Sequence, residues 1–110
     1  MQSSADKLAT LLDQPGPLNL AYADLRGANL RGVDLCGANL HNADLRTANL
    51  TGVNLTGADL SGAKLHFAVL IGADLTGVSL FGTDISLAKY DQDTKWPVGF
   101  NPQTARAIKS

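Results

Sequence analysis

Cys36, His41 and His66 carry the donor atoms suited to zinc or to nucleophilic chemistry. Zinc needs four donors converging at roughly 2.0–2.3 Å, and covalent catalysis needs a nucleophile, a base and a group that orients the base. A second set, Arg26, Arg31 and Arg46, has the planar fork that grips a carboxylate or a phosphate. A third, Phe67, Val69 and Ile71, with Phe81 farther along, places apolar side chains where the surrounding sequence is polar. Whether any of these sets forms a site depends on the elements that hold them.

Those elements are written in a repeat of five residues. Leu recurs at Leu20, Leu25, Leu30 and every fifth position to Leu80, followed by Ile85. A small residue stands two positions earlier, as in Ala23, Ala28 and Val33; Asp or Asn fills most positions between, and Gly dominates two positions after the Leu. One such unit cannot bury its own apolar side chains and requires stacked neighbours. On an α-helix five residues advance the chain by ~500°, which scatters successive Leu residues ~140° apart and leaves no apolar face. Strict strand alternation fails too, because the inward spacings alternate between two and three residues. A three-residue strand followed by a corner fits both. The small residue and the Leu point in, the Asp or Asn points out, and Gly supplies the positive φ that a corner needs.

The units ADLRG, ANLRG, VDLCG, ANLHN and ADLRT resemble the pentapeptide repeat family, and the likeness covers roughly two thirds of the chain. The resemblance implies an all-β solenoid, a right-handed quadrilateral β-helix with four units per coil. Residues twenty apart then stack ~4.8 Å from one another, and residues 18–89 make about three and a half coils. Residues 1–17 are expected to form a capping helix and linker, with Ser3 or Ser4 as its cap, Leu8, Leu11 and Leu12 on one side, and Pro15-Gly16-Pro17 ending it. Residues 90–110 are expected to cap the other end. Tyr90 falls on the next centre and the register is read as stopping there, with Asn101-Pro102 starting a short helix to about Ile108. The segment Tyr90 to Pro102 is similar to the tail that follows many short bacterial members, cyanobacterial ones especially.

The same register sorts the candidate residues. Cys36, His41 and His66 fall on three faces and point apart, so no metal, cofactor or catalytic constellation is expected, and the chain reads as a non-enzyme. Arg26, Arg31 and Arg46 lie near Asp24, Asp34 and Asp44, which makes mutual neutralisation the expectation over an anion grip. Phe67, Val69 and Ile71 are expected to lie under a tail carrying Trp96, Val98 and Phe100, the alternative being a partner-binding patch. Phe67, Val69, Ile71, Phe81, Arg26, Arg31 and Arg46 together form the candidate interaction surface.

The 110 residues carry a formal net charge of −1, which gives no pull toward nucleic acid or membrane. All the acids are Asp, the short, turn-compatible one. The start, MQSSADKLATLLDQ, has no basic segment leading into an apolar run, so a cytoplasmic protein is expected. Cys36 is the sole cysteine and cannot form an internal disulfide. The expected function is a structural or protein-interaction module with an unidentified protein partner, as a monomer or weak dimer. The resemblance also implies an alternative, DNA mimicry on a topoisomerase, as in the family's quinolone-resistance and gyrase-binding members. Those are long, strongly acidic rods with frequent Phe at the centre, whereas this chain has Leu there, few coils and almost no net charge.

Overall fold

The middle residue of each unit pairs in parallel with the residue twenty further on, from Asn19 with Asn39 to Val69 with Lys89. Five-residue units and a twenty-residue return give the coil four sides. The computed structural model describes residues 12–13 and 16–110. In a representative rung the Leu25 N–H donates to Asp44 O at 2.8 Å and the Asp44 N–H donates to Ala23 O at 2.9 Å. The corners are tied as well, the Gly27 N–H donating to Arg46 O at 2.9 Å. Each three-residue strand is therefore bonded to the coil above and below, which leaves edges only at the ends of the column.

Every corner has one form. The Ala28 N–H donates to Leu25 O at 3.1 Å across two residues, of which only the second, Gly27, has positive φ, +65°. That combination is a type II turn. Units without Gly keep the same backbone, so Tyr22, Asn42, Thr47, Phe67 and Leu87 are held at φ between 56° and 62°. Inside, the Leu residues from Leu30 to Leu75 are at most 1 % exposed and stack with Ala38 to Ala73 and Val53 into one core.

The tail departs from the expectation in two ways. First, the register does not stop at Tyr90, which is itself buried. Lys95 bridges Asp74, which sets Trp96 above Leu75, and β1 (Lys89–Tyr90) pairs in parallel with β2 (Ile108–Lys109). The detour of Asp91–Thr94 absorbs one extra residue. There the Asp91 carboxylate accepts the Gly72 N–H at 3.1 Å, and the buried Thr94 hydroxyl donates to Leu70 O at 2.8 Å. Second, no helix runs from Pro102 to Ile108. The Asn101 Oδ1 does accept the Gln103 N–H at 2.9 Å, as a cap should, but only a single turn follows. Arg106 ends it at φ +66°, and the chain is drawn into the strand pair with Lys89. Lys95 to Ile108 spans thirteen residues where Asp74 to Lys89 spans fifteen, so the tail cuts across the last coil without forming rungs on Ser79 or Asp84. This irregular last layer packs Trp96, Phe100, Ala105 and Ala107 on the core.

At the other end, the expected helix caps Ser3 and Ser4, with Leu8, Leu11 and Pro15, lie outside the described residues. Leu12, the last of that apolar set, packs partly buried against the core.

Candidate functional site

The outward surface is built by one recurring brace. In units with Asp or Asn at the middle, its Oδ1 accepts the backbone N–H two residues on: Asp24 accepts from Arg26, Asp34 from Cys36, Asn49 from Thr51, Asp59 from Ser61 and Asp74 from Thr76. This is the physical reason that the acids are Asp. Glu is one methylene too long to close the same ring. Hydroxyls at the second position add a bond, as Ser86 Oγ does to Asp84 at 2.6 Å. Those contacts hold Asp59, Asp74 and Asp84 below the ordinary carboxylate pKa, the Ser61, Thr76 and Ser86 hydroxyls being the leading causes.

Three of the units between Asn19 and Ser86 lack the brace because Lys64, Val69 and Ser79 hold the middle place. Among the described residues the N–H groups of His66, Ile71 and Phe81 accordingly have no acceptor. These three neighbouring units carry Phe67, Val69, Ile71 and Phe81, although the braced units of Asn19 and Asp84 also expose Tyr22 and Leu87. Phe67 is 51 % and Phe81 86 % exposed, while Val69 and Ile71 are half-buried. The expected covering of Phe67 by the tail does not occur. Trp96 stacks on Phe100 with centroids 5.1 Å apart and meets Tyr90 edge-on, whereas the ring beside Phe67 is His66, at 4.2 Å.

The three arginines do not form one grip. Arg26 takes Asp24 with Nε at 2.8 Å and also lies 3.9 Å from Asp44 Oδ2, Arg46 takes Asp44 with Nη2 at 2.7 Å, and Arg31 stands on the next face with no ion pair among the described residues. Nor do the potential metal ligands converge. His41 Nδ1 lies 2.9 Å from Ser61 Oγ, His66 Nδ1 lies 2.9 Å from Ser86 Oγ, and Cys36 is exposed on a third face. A matching relay thus recurs one face on, Asp59–Ser61–His41 and Asp84–Ser86–His66. In the first, the Asn42 amide also occupies His41 Nε2, at 3.0 Å; the second opens into a shallow hollow of about 440 Å³. Arg46, Lys64, His66 and Asp84 line that hollow together with Gly62 and Gly82. Phe81 stands at the corner before Gly82 and Phe67 at the corner after His66, so two exposed aromatics flank it.

The family model for pentapeptide repeats matches residues 19–52 and 48–86, in eight copies. The chain belongs to the pentapeptide repeat family. Among solved pentapeptide repeat proteins it is similar to alr5209 from Nostoc PCC 7120, at 30 % identity over 94 % of this chain and 93 % of that one, with a TM-score of 0.51. It is also similar to Rfr23 from the cyanobacterium Cyanothece 51142, at 38 % identity over 76 % of this chain and 67 % of that one, TM-score 0.46. A third, AT2G44920 from the Arabidopsis thaliana thylakoid lumen, is 32 % identical over 82 % and 66 %, TM-score 0.38. No curated protein matches. Pentapeptide repeat proteins adopt a right-handed quadrilateral β-helix, which agrees with the twenty-residue parallel rungs here. The missing braces at Lys64, Val69 and Ser79 were legible as breaks in the Asp/Asn column, but their consequence, three open N–H groups, needs the bonding pattern.

Proposed function

We propose that this pentapeptide repeat protein is a non-enzymatic docking module, a right-handed β-helix that binds another protein through the surface running from Phe81 to Ile71. The observation that carries this is that three neighbouring units with open N–H groups, those of His66, Ile71 and Phe81, together present Phe67, Val69, Ile71 and Phe81 outward, with Phe67 51 % and Phe81 86 % exposed. Open backbone N–H groups beside apolar side chains suit a partner that supplies both carbonyl or carboxylate acceptors and apolar contacts. Arg26 and Arg46 serve the opposite purpose, tying down Asp24 and Asp44, and with a net charge of −1 the surface lacks the dense negative field that DNA mimicry on a topoisomerase demands.

The test is site-specific photocrosslinking in the source cells, with the probe at Phe67 or Phe81 and, as a control, at Thr56 on another face. A discrete protein adduct from the first two positions and none from Thr56 is expected. Equal crosslinking from all three, or from none, overturns the reading. Inhibition of DNA supercoiling at micromolar protein would transfer the function to the mimicry class.

A further inference from the structure

Lys64 holds a place that the fold gives to a carboxylate. Its column runs Asp24, Asp44, Lys64, Asp84, each bridged to the next. In the three acidic units the carboxylate accepts the N–H of Arg26, Arg46 or Ser86, whereas the equivalent N–H of His66 has no acceptor among the described residues. Lys64 has no ion pair there, and His66, with Nδ1 on Ser86, has no partner at Nε2. Arg46 reaches the same hollow beyond its bonds to Asp44. Lys64, Arg46 and the open His66 N–H therefore offer donors to a space in which the acceptors are the Asp84 carboxylate and His66 Nε2.

We infer that this hollow receives the side-chain carboxylate of an Asp or Glu on a partner protein, whose neighbouring apolar residues pack on Phe67 or Phe81; the inference rests on the docking reading above. The carboxylate accepts from the His66 N–H, restoring the bond that every Asp or Asn unit makes internally, and pairs with Lys64. Asp84 borders the hollow with Oδ1 engaged by the Ser86 hydroxyl at 2.6 Å and N–H at 3.0 Å, while its Oδ2, with no bond among the described residues, competes with the incoming carboxylate for Lys64. Arg46 and Lys64 balance Asp44 and Asp84, so no net field draws a polyanion, and recognition depends on short-range donors and the aromatic flanks.

The experiment selects a phage-displayed library of random dodecapeptides on the immobilised protein and measures the winners against variants. Enriched peptides carry Asp or Glu beside Phe, Leu or Trp, slow hydrogen exchange at the His66 amide, and bind Lys64→Asn about tenfold more weakly, because Asn supplies its own Oδ1 to that amide. Thr56→Ala, on another face, changes nothing. Failure to enrich, winners without an acidic residue, or affinity indifferent to Lys64→Asn overturns the inference. So does inorganic phosphate protecting the His66 amide as well as the peptides do, since the hollow would then be a simple anion site. A crosslinked partner that maps to Phe81 while Lys64→Asn binds it unchanged removes this inference and leaves the docking function standing.

Discussion

Arg46 holds Asp44 at two points, Nε on Oδ1 at 2.8 Å and Nη2 on Oδ2 at 2.7 Å, and Arg26 repeats the grip on Asp24 one coil away. The Arg26 side-chain bonds bring the Asp24 pKa down to about 2, and the Arg46 bonds lower that of Asp44. Asp59, Asp74 and Asp84 are lowered by their hydroxyl braces. A carboxyl depressed in the folded state adds stability above its unfolded value of about 3.9, and that contribution is lost as pH falls through the folded value. The melting temperature should therefore hold down to about pH 5 and decline from about pH 4 to about 2. Carboxyl carbon NMR checks the cause: an Asp24 midpoint near the ordinary value would remove it.

Leu50 is fully buried at the centre of the stack. Leu50→Ala should cost about 2–5 kcal/mol in denaturant unfolding, as lost transfer energy plus the residual cavity. Leu50→Asp should be more damaging because it buries an unpaired charge. A Leu50→Ala protein as stable as its parent would contradict the inward register.

The repeat was readable because five-residue spacing admits few solutions: Leu30 to Leu75 had to face inward together, and the Asp or Asn between had to face out. The tail was harder for a physical reason. Asn101-Pro102 is a sound local start for a helix, yet the rung offered by Lys89 captures Ile108, so a tertiary bond overrides the local signal. Thr94 shows the same limit. Its buried hydroxyl on Leu70 O depends on a one-residue insertion that periodicity alone reads as the end of the repeat. At the candidate site, Phe67, Val69, Ile71 and Phe81 stood out as apolar residues in outward positions. The link to Lys64 and the open His66 N–H did not, because it is a bond that is missing rather than a residue that is unusual.

Phe67 sits at φ +62° in a corner that most units give to Gly, and its ring is half exposed. Left-handed backbone costs a bulky residue about 1 kcal/mol or more, offset in part by the greater unfolded-state freedom of Gly. Phe67→Gly should leave stability unchanged or raise it by up to about 1 kcal/mol while weakening the peptide binding described above. Gly62→Ala should do the reverse to stability, since Gly62 sits at φ +70° and its Cβ would also displace the Asn42 side-chain amide. A clear loss of stability in Phe67→Gly would mark Phe67 as a packing residue and not a docking one.

Removing residues after Ala88 tests what the irregular last layer does. The Leu70 N–H would lose Lys89 O and the Leu75 N–H would lose Lys95 O, both at 2.7 Å, and the Leu70 carbonyl would lose the Thr94 hydroxyl. Tyr90, Trp96 and Phe100 would also leave the core, and burial of a large aromatic contributes about 1.5–3 kcal/mol. The truncated chain should melt at a markedly lower temperature. It should also associate, because bare N–H groups beside exposed Leu70 and Leu75 form a template for another strand. Differential scanning calorimetry and sedimentation velocity read the two effects separately. If the shortened protein keeps its melting temperature and stays monomeric, the tail is not a cap, and Trp96 and Phe100 must be reassigned to partner contact.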